Sequence, residues 1–229
     1  MRLPKIRVYD TTSDIEEIHL DALDVPKPWY NLENKKDKDK YIKTVEKMVR
    51  SSMEYHALID YLKNKMGMNF CSFFHRVSRD IYSRTKLSIE IHHEPFTLYD
   101  IVAIVLNDTL NRYPDNYRPD MFDIASEVME MHYKGYVGLL PLSKTVHELV
   151  HSGKLFVPLQ FIDGGFNNFL HEYKDTIQSM DGLMEMLAAK INLSKAYEEN
   201  PEEFISILRK KYIYVVNEGY DNIPEAINK

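Results

Sequence analysis

Cysteine is nearly missing from this chain: Cys71 is the single one among 229 residues. One thiol forms neither an intrachain disulfide nor a four-thiolate zinc knuckle. Any metal chemistry therefore has to run on histidine and carboxylates. Long apolar runs are missing too, and no stretch approaches the roughly 18 residues that a membrane-spanning helix needs. The opening Met1-Arg2-Leu3-Pro4-Lys5 lacks the apolar core of a secretory signal. These absences lead to the expectation of a cytoplasmic protein, in a bacterial or phage-infected host cell, that makes no membrane contact. An excess of basic charge is also lacking. The formal net charge is −6, which argues against a protein that coats nucleic acid, because neutralising phosphates takes dense Lys and Arg. It leaves room for a nuclease with a local basic patch, since an enzyme that turns over must release its product.

What is present is an ordinary globular balance, 44% hydrophobic and 28% charged. The length suffices for one sizeable domain, or for a small module with flanking helices. Residues 1–36 read as irregular, with Lys5-Ile6-Arg7-Val8-Tyr9 as a short strand and Pro26 and Pro28 keeping the next stretch out of a helix. The run Lys35-Lys36-Asp37-Lys38-Asp39-Lys40 reads as a solvated hinge. Tyr41, Val45, Met48, Ser52, Tyr55, Ile59, Leu62 and Met66 recur at three- and four-residue steps. That stripe predicts one long helix over about 39–66, packed on its own domain or, through 41–66, on a second copy. Leu87-Ser88-Ile89-Glu90-Ile91 alternates like a half-buried strand and runs into His92-His93-Glu94-Pro95. Thr97 with Asp100 reads as a capping pair that opens a helix to about Asn111, and Asp120 caps another over about 121–133. Val137 to Leu142 is a second strand, broken near Pro141, and Ser143 opens a short helix that Gly153 stops. Helices are expected again at about 168–191 and 201–214.

Four of the nine histidines fall in two tight groups. His147 and His151 are four apart on a predicted helix, so both imidazoles stand on one face and can reach one metal ion. His92 and His93 are neighbours at a strand end and point to opposite faces. One can face a metal while the other faces substrate. A neutral imidazole near a polarising cation is well suited to activating water at neutral pH.

The segments Ile89-Glu90-Ile91-His92-His93-Glu94-Pro95 and Gly138-Leu139-Leu140-Pro141-Leu142-Ser143-Lys144-Thr145-Val146-His147-Glu148-Leu149-Val150-His151-Ser152-Gly153-Lys154 together resemble the HNH (ββα-metal) endonuclease family, over about a third of the chain. The resemblance implies a metal-dependent endonuclease that hydrolyses phosphodiester bonds in DNA, or in RNA. It implies His92, His147 and His151 as metal ligands and His93 as general base. The cofactor would be one divalent ion, and three imidazoles suit zinc, nickel or manganese better than magnesium. Arg84, Lys86, Lys144 and Lys154 would form a phosphate-binding patch, with Arg76 and Arg79 nearby. Stand-alone members of this size are frequent in bacteriophages and bacteria. Two features depart from the family. Its bracing Asn falls at Gly138, and Asn107, Asn111 or Asn116 would have to substitute. About 44 residues separate His93 from Gly138, which reads as two inserted helices that shape substrate access or bind a partner. His132, at the end of the second, reads as a surface or supporting residue more than a ligand, and Cys71 as a small buried hydrophobe.

The expected fold is mostly helical α+β. Its parts are an N-terminal arm and long helix (1–68), an HNH-like ββα-metal core (69–165) with a helical insertion at about 96–136, and a C-terminal helical segment (166–229). Two rival readings stay open. His147-Glu148-Leu149-Val150-His151 also fits the H-E-x-x-H zinc metallopeptidase pattern, with Glu148 as base and Glu172 as third ligand. Alternatively, the histidines form a non-catalytic structural metal module in an interaction protein.

Overall fold

The computed structural model describes residues 30–78, 88–113 and 118–202. The strand expected at 5–9, the cations Arg79, Arg84 and Lys86, and most of the helix expected at 201–214 lie outside them, as does the side chain of Arg76.

The described chain is mostly helical with two small antiparallel sheets, an α+β architecture. Its N-terminal helix α1 spans Lys35–Ser51, opened by Asn34, whose side chain accepts from the backbone of Lys36 and Asp37. The charged run at 35–40 is therefore the first turns of a helix and not a hinge. Asp39 pairs with Lys43 and Asp37 with Lys40 along it. Tyr41 and Val45 of the apolar stripe are buried on α1, but Met48 is only half-buried and Val49 is buried beside it. The helix does not continue to residue 66. Ser52 turns extended, at φ −72° and ψ 147°, and its side chain caps a second helix, α2 (Met53–Asn64). A serine whose hydroxyl can take a free N–H competes with the helix it interrupts. The break removes the straight seam that a dimer through 41–66 needs.

Strands β1 (Phe70–Cys71) and β2 (Phe74–Ser78) form the first sheet. Strand β3 (Ile89–His93) pairs with β4 (Leu139–Ser143) in the second, in register from Ile89↔Ser143 to His93↔Leu139. Pro141 does not break β4. It sits opposite Ile91, and its carbonyl accepts from both the backbone and the hydroxyl of Ser72. Between β3 and β4 in sequence lie α3 (Leu98–Arg112), opened by the expected Thr97/Asp100 capping box, and α4 (Met121–Tyr133), capped by Asp120. Leu98, Ile101, Val102, Ile104, Val105 and Leu106 of α3 are all buried. A helix apolar nearly all round belongs at the centre of a bundle, and α3 packs on α1, α4 and, further along, α7. Phe122 of α4 is exposed, whereas Ile124, Ala125, Val128, Met129 and Met131 are buried.

Helix α5 (Lys144–His151) follows β4 directly, with no side-chain bond from Ser143 to its first turn. It ends at His151, and Gly153, two residues on, adopts φ +68°. In place of one helix over 168–191 there are three: α6 (Phe166–Glu172), α7 (Lys174–Ser179) and α8 (Leu183–Glu199). The last begins after Gly182, which takes the left-handed φ of +80°.

The β3–β4 pair separates two cores. Ile91 and Leu139 join the large helical core, whereas Leu140 and Leu142 join a smaller one with Cys71, Phe73, Val146, Leu155 and Val157. Strand alternation explains the division from residue 90 onward, while Ile89 at the start of β3 joins the small core. Glu90 and His92 share a face with Leu140 and Leu142, over which α5 lies. Ile91 and His93 share the face that looks into the helices.

Candidate metal centre

His92 comes from β3, and His147 and His151 from successive turns of α5. One ring nitrogen from each can be chosen so that all three lie within 4.8 Å of one another. The ring centroids of His92 are 5.0 Å from those of both His147 and His151, and the latter two are 4.4 Å apart. The Nε2 atoms of His147 and His151 are 3.0 Å apart. Two nitrogens held at about 2.0–2.1 Å from one tetrahedral zinc lie at a similar spacing.

The outer contacts fix the rings. His147 Nδ1 lies 2.6 Å from Glu90 Oε2. The Nδ1–H donates to the carboxylate, which leaves Nε2 of His147 bare and available to a cation. This carboxylate–imidazole arrangement backs metal ligands in general. His92 Nε2 is 3.3 Å from Glu94 Oε2, and the other oxygen of Glu94 is ion-paired with Lys190 of α8. Burial, followed by the neighbouring imidazoles, pushes the pKa of His92 down to about 3. Burial and then His151 also lower His147, against the pull of Glu90. Neutral rings keep their lone pairs available to a cation at neutral pH. His92 is 4% exposed, but His151 is open to solvent. Three imidazoles with one side open leave a coordination position for water or substrate.

His93 does not join this group. Its ring lies on the other face of β3, stacked on Tyr55 of α2 at 6.2 Å, with Nε2 3.0 Å from Nε2 of His132 on α4. The sequence placed it open to substrate, whereas helices α2 and α4 close over it and leave 4% exposed. Burial and then the field of His132 hold its pKa well below the usual range. His132, read from sequence as a surface or supporting residue, is buried and supports His93.

Lys144 and Lys154 flank α5 on exposed positions. Sequence reasoning missed two cations whose charge acts on the cluster, Lys190 and Arg50, and the carboxylates Glu90 and Glu94. Arg50 is among the charges that lower His92, His93, His132 and His147. Glu90 was within reach, since strand alternation puts residues 90 and 92 on one face. Lys190 and Arg50 carry no such local signal. The bracing Asn has no room at position 138, where a Cβ would meet Glu94 O at 2.0 Å. Asn107 is occupied elsewhere, with Ala103 O and Lys38. Glu172, the peptidase reading's third ligand, is exposed on α6 and outside the trio; His92 fills that place.

A family model describing bacteriophage G278-like virion proteins matches residues 10–219. The chain belongs to that family. No curated protein and no solved structure gives a match. Of the two origins the sequence left open, bacteriophage and bacterium, the G278-like family agrees with the first. The family's name describes a constituent of the phage particle and specifies no reaction. No helix among the described residues is long and apolar enough to cross a membrane.

Proposed function

We propose that β3, β4 and α5 form a ββα-metal centre and that this virion-family protein is a metal-dependent endonuclease acting on phosphodiester bonds, in DNA ahead of RNA. The observation that carries the reading is the convergence of His92 from a strand with His147 and His151 from the helix after its pairing partner, with Glu90 bound behind His147. The three imidazoles hold one divalent ion, zinc, nickel or manganese, which would polarise the scissile phosphate and stabilise the leaving oxygen. Glu90 keeps the His147 ring in its ligating tautomer. Lys144 and Lys154 steer the phosphate backbone toward the open side of the trio. For His93 to take a proton from the attacking water, helices α2 and α4 must open over it, because its ring lies on the face of β3 opposite the trio.

Plasmid nicking tests the proposal. Wild type loaded with zinc, nickel or manganese is expected to nick supercoiled DNA, and His151→Ala to lose metal and nicking together. His93→Ala should keep the metal and lose about 10²–10⁴-fold in rate. Loaded protein that leaves DNA and RNA intact would overturn the reading.

One observation favours a second reading, the metallopeptidase. Glu148 is exposed beside His147 in the H-E-x-x-H run, and the third ligand is supplied by His92. Glu148→Ala separates the two: it should be nearly silent for nicking and fatal for casein cleavage.

A further inference from the structure

His132 sits in the buried space between α4 and β3 and belongs to no ligand set among the described residues. Its Nδ1 is 2.7 Å from the carbonyl of Val128, one turn back on α4. A carbonyl carries no proton, so Nδ1 of His132 must donate. Burial keeps this ring neutral, with a pKa pushed down to about 4. A neutral imidazole with hydrogen on Nδ1 has none on Nε2. The 3.0 Å contact between the Nε2 atoms of His132 and His93 then takes its hydrogen from His93. Tyr55 holds both rings in place, stacked on His93 at 11° and edge-on to His132 at 87°.

We propose that His132 is a positioning residue that locks His93 into the Nε2–H tautomer, so that Nδ1 is its free proton-accepting nitrogen. The order is Val128 carbonyl, His132, His93, with each hydrogen pointing back toward α4. The inserted helices thus supply the bracing that Gly138 cannot. The catalytic consequence rests on the hydrolase reading above; the tautomer itself does not.

The test uses the full chain with ¹⁵N-labelled histidine, zinc as the metal and supercoiled plasmid as substrate. Long-range ¹H–¹⁵N spectra of the wild type are expected to show His93 protonated on Nε2 and His132 on Nδ1, with one zinc per chain. His132→Gln, whose amide oxygen can accept from His93, should keep the His93 tautomer and cleave within a few-fold of wild type. His132→Phe fills the space without an acceptor. It should give mixed His93 tautomers and lose about a hundredfold in cleavage at unchanged zinc content. Thermal melts establish that both variants are folded; if the Phe variant is not, the wild-type spectra and the Gln variant decide. His93 protonated on Nδ1 overturns the proposal. So does a Phe variant that cleaves like wild type, or a second zinc lost in His132→Gln, which would make the pair a metal site. A wild type with the expected tautomers that cleaves nothing overturns the hydrolase reading and leaves the tautomer assignment standing.

Discussion

At the scale of single residues, the bond from His147 to Glu90 decides how well that ring is presented to a cation. Glu90→Gln removes the charge and can turn the amide so that it no longer receives the Nδ1 proton. Loss of such an outer partner typically costs 10–100-fold in metal affinity, so a zinc competition titration against a chromophoric chelator should show a drop of about that size. Buried His132 makes a second prediction, for the metal-free protein. Its pKa is near 6.5 when unfolded and about 4 when folded, so the unfolded chain binds the proton more readily. Its contribution is fully present above pH 6.5. It shrinks as pH falls and is lost once pH has passed through about 4, a total on the order of 3 kcal/mol. Urea melts across this range should show stability falling with pH, and His132→Gln should flatten the slope.

At the scale of elements, α5 is the weakest part of the centre on its own. It has eight residues, and of these only Val146 is buried. Isolated helices of that length are marginal in water, so a cation shared by His147, His151 and His92 would tie α5 to β3. Hydrogen exchange should show amides of 144–151 exchanging markedly faster after chelation, while the buried middle of α3 stays unchanged. Much of this level was legible in the sequence. The capping box at Thr97, the Asp120 cap and the i, i+4 histidines are local signals, and the elements appear where those signals stand. The break at Ser52 was missed because the apolar stripe runs straight across it, and periodicity outweighed one hydroxyl. Pro141 was read as a breaker because its missing N–H was weighed without the neighbouring strand. The pairing of His93 with His132 depends on how α4 folds back over β3, which no local pattern encodes.

At the scale of the whole molecule, the trio stands where two cores meet: Val146 of α5 joins the small one, and Ile91, the neighbour of His92 on β3, joins the large one. Cation binding would therefore couple the two cores and should raise the melting temperature at saturating zinc by mass action. The position of α3 and α4 in the chain has a temporal consequence. Because they lie between the two paired strands, β3 cannot meet β4 by simple hairpin closure. The ends of a long excursion must be brought together first, and the cheapest way is for the inserted helices to collapse onto each other. The ligands then converge late, after the rate-limiting barrier, and interactions made late act on the escape from the native state. Stopped-flow experiments should accordingly find that zinc slows unfolding while leaving the refolding rate nearly as it is in chelator.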